Sequence, residues 1–174
     1  MCIAALVSAA GFAVMSTVAM AQTVTYDFDR SANFRAFRTF AWVQGHVVDD
    51  PINHRRVVEA VSGQLAAKGL TRVEPGDRPD VLVAYHASFD RDLQISGFAT
   101  GWGPYRLRGG TAVARTEQIL TGTLVVDVVD ARSGNIVWRG TASKEVDADA
   151  DPAKRDRNIR RAVERLFKNY PPVK

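Results

Sequence analysis

Between residues 121 and 146 the chain alternates apolar and polar positions in two runs separated by a polar hexapeptide, and the other elements are arranged around this pair. Side chains in a strand point to opposite faces with a period of two, so Leu124, Val126 and Val128 share one face and Val125, Asp127 and Val129 the other. In the second run Ile136, Trp138, Gly140 and Ala142 fall together, opposite Val137, Arg139, Thr141, Ser143 and Glu145. One apolar and one mixed face predict an antiparallel hairpin covered on a single side. The connection at 130–135 carries Asp, Ser, Gly and Asn, which tolerate tight or left-handed backbone. Trp138 reads as a core anchor rather than a ligand-stacking ring, and its indole N–H needs a partner if buried.

The same periodicities place the remaining elements. Residues 23–29 alternate, with Val24, Tyr26 and Phe28 on one face, and predict a short strand. Residues 31–38 embed Phe34 and Phe37 in a polar stretch that reads as a turn or one helical turn, and 39–43 as a second short strand. Asp50-Pro51 offers a cap followed by proline in the first turn. Val57, Val58, Val61 and Leu65 follow at helical spacing, and Gly69-Leu70 is a stop signal, so a helix is expected over 51–68. Its one flaw is Gly63. Residues 70–73 suggest a brief strand, 74–79 a turn rich in breakers, and 80–89 a central strand apolar on both faces. Residues 90–115 hold five glycines, at 97, 101, 103, 109 and 110, and read as a long loop or a distorted hairpin. Asp151-Pro152 repeats the helix start. Ile159, Ala162, Val163, Leu166, Phe167 and Tyr170 then form an apolar stripe that Pro171-Pro172 ends.

The order of elements predicts an α+β two-layer sandwich, a mainly antiparallel sheet with two helices on one face, as a single domain over residues 22–174. Residues 1–21 carry no charge and close on Ala19-Met20-Ala21, a small-x-small site, so a secretory signal peptide cleaved after Ala21 is expected, with an uncleaved membrane anchor as the rival. No basic residue precedes the apolar run. Export would place the protein in the periplasm or cell envelope. The only cysteine, Cys2, lies in this leader, so the processed chain would have no disulfide or thiol chemistry. A net charge of +4 in 174 residues is too small to argue for nucleic-acid binding.

Candidate chemistry is sparse. His46, His54 and His86 are scattered outside any metal-binding spacing, and neither a nucleophile elbow nor a phosphate loop is present. No metal or cofactor is expected. Residues 147–151 open like a calcium loop, but Pro152 stands where glycine is required and Asn158 where glutamate is expected, so they read as an acidic linker favouring the next helix start. Two surfaces stand out. Phe98, Trp102, Tyr105, Arg106 and Arg108 mix aromatic and basic side chains among glycines and are candidates for gripping a ligand or partner. Lys154, Arg157, Arg161, Arg165 and Lys168 form a basic stripe opposite the apolar face of the last helix. This stripe is a candidate for contact with anionic lipid or an acidic partner and otherwise a solvated face.

The stretches YDFDRSANFRAFRTFAW, PDVLVAYHAS and GTLVVDVVDARSGNIVWRG, with the closing helix and its YPP end, resemble the bacterial envelope family called domain of unknown function 4136. The resemblance covers nearly all of residues 23–172. It implies an exported protein, often a lipoprotein in that family, and supplies no catalytic residue, because the family has no established activity. No lipid-attachment cysteine follows the leader here, which favours a soluble periplasmic form.

Three functions are open on these grounds. The first is a non-enzymatic envelope module that binds a protein partner or an amphiphilic ligand. The second is a hydrolase using carboxylates such as Asp27, Asp29 or Asp127, which requires two of them to converge in a cleft. The third is a self-associating structural module with an apolar surface patch.

Overall fold

The computed structural model describes residues 22–45, 50–98 and 113–172. Among the described residues six strands form one sheet: β1 (Thr23–Phe28), β2 (Thr39–Trp42), β3 (Thr71–Arg72), β4 (Val81–Phe98), β5 (Val113–Asp130) and β6 (Ile136–Glu145). They lie in the order β1-β6-β5-β4-β2-β3. The pairs β1–β6, β6–β5 and β5–β4 are antiparallel, while β2 runs parallel to both β4 and β3. Helices α1 (Pro51–Ala67) and α2 (Pro152–Leu166) complete the α+β sandwich. The parallel edge follows from α1, whose crossover returns the chain in the direction of β2.

The core lies between sheet and helices. Trp138, Phe40, Leu65, Val61, Val126, Val128, Val163, Leu166 and Phe167 are all buried to 1% exposure or less. Trp138 is the anchor its size suggests, tilted on Phe167 at 5.1 Å and edge-on to Tyr170 at 5.3 Å. Among the described residues nothing accepts a hydrogen bond from its indole N–H. Gly140, two residues on in β6, lets this packing close. A Cβ there would strike the Trp138 ring and Leu166 of α2.

Three expectations change. Ile136 does not share the Trp138 face: it is 46% exposed, while Val137 is buried. The register steps from Val128↔Trp138 to Val129↔Ile136, which leaves Val137 as the extra residue of a β-bulge and re-aims the strand by one position. Residues 90–115 are not a long loop over their whole length. β4 continues to Phe98 and β5 begins at Val113, paired in register throughout. The last helix is α only to Leu166, and Phe167–Asn169 tighten into a 3-10 turn. The leader at residues 1–21, and Trp102, Tyr105, Arg106 and Arg108, lie outside the described residues.

Candidate functional site

Both helices begin at the same end of the sheet, because each follows a strand running in the direction of β4. Each start is built from an Asp-Pro pair. Asp50 accepts from the backbone N–H groups of Ile52 and Asn53, both at 3.0 Å, and from Asn53 Nδ2 at 2.7 Å. Asp151 accepts from the backbone N–H of Lys154 at 2.7 Å. β4 and β5 do not stop at this level. They extend past the helix starts as a two-stranded arm and leave a cleft between its inner face and the two helix N-termini.

The cleft measures about 770 Å³. Val57 of α1, Ile159 and Ala162 of α2, and Ala87, Leu124 and Ala142 of the sheet give it mostly apolar walls. Phe89, 49% exposed, stands in its wall on β4. Polar groups gather at specific points. Tyr85 is buried in the cleft wall, and its hydroxyl lies 2.7 Å from His54 Nδ1. Burial, and secondarily the Asp50 carboxylate, push its ionisation above the usual phenol value. Lys144 Nζ donates to Asn158 Oδ1 at 3.4 Å, and Arg155 Nη2 to the Ala148 carbonyl at 2.9 Å. Arg91, Lys144 and Arg155 are offset around the lining by Asp50, Asp90, Glu145 and Asp147, so the cleft does not present one dominant charge. Such a site can take up an apolar body and hold a polar head by hydrogen bonds.

Of the residues singled out from sequence, the basic stripe does not line the cleft. Phe98 ends β4 opposite Val113. The basic stripe is exposed along α2 and the 3-10 turn that follows it, and two of its members are engaged. Lys154 pairs with Asp147 at 2.8 Å, which holds that carboxyl below its ordinary range, and Arg165 Nη1 donates to Gln22 Oε1 at 3.1 Å. Asp147 also accepts from the backbone N–H of Asp149, so the acidic run folds on itself and into the helix start. Among the described residues, no group of three or more His, Cys, Asp or Glu side chains is placed to hold a metal ion. None of the three carboxylates weighed for hydrolysis lines the cleft. Asp29 accepts from the Ser31 N–H and hydroxyl. Asp27 and Asp127 flank Arg139 on neighbouring strands. Asp127, 4% exposed, is gripped by Arg139 at both oxygens, 2.6 and 2.7 Å, with His86 Nε2 at 3.4 Å. A carboxylate so neutralised is locked in an ion pair.

Sequence reasoning missed the cleft residues Tyr85, Ala87, Lys144, Arg155 and Asn158. The usable signal was topological: two Asp-Pro helix starts, each after a strand of the same direction, must lie at one end of the sheet.

The layers, strand order and cleft define a mixed six-stranded α+β sandwich with a projecting hairpin. The chain belongs to the family described as domain of unknown function (DUF4136), whose pattern matches residues 24–172. A solved DUF4136 family protein from Bacteroides thetaiotaomicron is 14% identical, with a TM-score of 0.53 over 86% of this chain and 96% of that one. The PelC dodecamer from Paraburkholderia phytofirmans is 10% identical, with a TM-score of 0.53 over 84% and 96%. A PDZ domain protein from Parabacteroides distasonis reaches a TM-score of 0.56 at 17% identity over 88% of this chain, which spans only 37% of that protein. These similarities are of fold. No curated protein matches the chain. Among the described residues no helix is long and apolar enough to cross a membrane.

Proposed function

We propose that this is an exported envelope protein that acts without catalysis, by binding an amphiphilic ligand in the cleft between the helix starts and the β4–β5 arm. The observation that carries this reading is the cleft itself: about 770 Å³, apolar inside, with amide, hydroxyl and cationic groups at separate points of its lining. That volume lies in the range of small-molecule sites, and the mixed lining charges fit a polar or zwitterionic head better than a strongly charged one. The uncharged leader ending at Ala21 supports export, and processing there would leave Gln22, a cleft residue, at the new terminus.

The test is native mass spectrometry of the protein recovered from a bacterial periplasm, joined to titration with the amphiphilic dye anilinonaphthalene sulfonate. The native protein should carry an adduct released on denaturation, or bind the dye saturably. Ala87→Trp, which sets an indole across the cleft wall, should weaken dye binding by about tenfold or more. A folded native protein with neither adduct nor saturable dye binding sinks the proposal.

A further inference from the structure

Beyond ligand binding, we propose that the outer edge of the β4 arm is a pairing surface for a second copy of this chain, joined antiparallel through main-chain hydrogen bonds. β2 accompanies β4 only from Val81 to Val83, with one further bond from the Val43 N–H to the Val83 carbonyl. That bond fixes which way the strand's groups point. The N–H and C=O of Val83 face β2, so those of every second residue onward face the same side. Gly45 still covers the Tyr85 carbonyl. From Ala87 to Gly97, six alternate positions then present their main-chain groups to an edge beside which no described strand lies. On the far side of the arm, β5 loses its neighbour as well: the last bond is from the Val146 N–H to the Leu120 carbonyl.

Among the described residues the arm is therefore a two-stranded ribbon with no third strand along either edge. Such a ribbon is marginal in water by itself and gains most from a third strand. From Ala87 to Gly97 the β4 edge offers roughly 33 Å of it. The edge also lacks two common protections, proline and lysine. Residues 81–98 contain no proline and no lysine, and the bulge in the sheet lies elsewhere, at Val137. The other outer strands are short, six residues in β1 and two in β3.

What can occupy such an edge is set by its chemistry: an extended chain with N–H and C=O at the same spacing. A second copy of β4 meets this by symmetry, because an antiparallel edge turned about a two-fold axis is its own complement. Charge permits the meeting. Residues 87–98 hold Asp90, Arg91 and Asp92, a net of −1. Phe89, on this segment of β4, is 49% exposed.

The test uses Arg91→Pro. The N–H of Arg91 points to the open edge, so proline there removes an outward donor and leaves the ladder to β5 intact. The full chain is expressed with its own leader and its mass in solution is measured by light scattering across a concentration series. The native protein should move to twice the single-chain mass as concentration rises, and Arg91→Pro should stay at one copy with unchanged circular dichroism. Hydrogen exchange on the native protein is the second readout, independent of any variant. Amides of Ala87, Phe89 and Arg91 should gain protection with concentration. A native protein that stays monomeric overturns the proposal. So does a dimer in which those three amides exchange at the same rate as in the monomer.

Discussion

Asp80 shows how much one side chain can organise here. Standing just before β4, it accepts from the Arg38 N–H, the Thr39 N–H and the Thr39 hydroxyl at 2.9, 3.0 and 3.1 Å, and so ties the start of β2 to the start of β4. These bonds, with that from the Arg38 N–H first, hold its carboxyl below the ordinary value of 3.8. The sign follows. A depressed carboxyl stabilises the fold fully above its unfolded pKa, and this is lost as pH falls through the lower folded value. Asp130, held down chiefly by the Ser133 N–H, acts in the same direction. Tyr170 sets the alkaline limb. Burial pushes it up to about 12 from 10.0, so stability is whole below pH 10 and falls as pH rises towards 12. Denaturant titrations across pH should show both limbs. Asp80→Asn should flatten the acid one and Tyr170→Phe the alkaline one. An Asp80→Asn protein with the native acid slope would refute the first assignment.

At the scale of an element, α1 and the turn that closes it carry two glycines of opposite meaning. Gly69 has φ +89°, and its N–H donates to the Ala66 carbonyl while that of Leu70 donates to Leu65, with both leucines buried. This is a Schellman close, and a side chain in that left-handed conformation costs about 1–2 kcal/mol. Gly63 lies inside the helix with open space around it. Gly69→Ala should therefore lower stability by about 1–2 kcal/mol, and Gly63→Ala should raise it by about 1 kcal/mol. Urea midpoints that move the same way would contradict this. Both ends of α1 were legible because cap, proline and left-handed glycine are local chemistry. The bulge was not. Ile136, Val137 and Trp138 are three apolar residues in a row, so alternation alone does not say which faces out, and a one-residue shift inverts the assignment. The arm was hidden for another reason. The glycines from 97 to 110 weight composition towards a loop, while the strand before them carries an ordinary pattern to Phe98. The cleft was illegible because its lining comes from both helices and three strands, which only the sheet order brings together.

At the scale of the whole molecule, β4 passes through two environments. From Val81 to Val83 it is flanked by strands on both sides, and Val81, Val83 and, two residues on, Tyr85 are at most 3% exposed. Beyond Asp90 its only paired neighbour among the described residues is β5. One strand thus joins a segment that exposes its amides only on global unfolding to one that can open by parting a single ladder. Free energies of opening span this range within one protein. In dilute solution, where copies are apart, amides of residues 81–85 should exchange at least about a hundredfold more slowly than those of residues 92–98. The contrast bears on the cleft. Its helix side is part of the rigid layer, whereas its far wall belongs to the segment that opens, so an occupant can enter by displacing the arm without disturbing the core. An amphiphile in the cleft should therefore slow exchange in the arm and leave the lower half of β4 unchanged. Equal slowing of both halves would instead mean that the ligand stabilises the domain as a unit and that the arm does not gate the site.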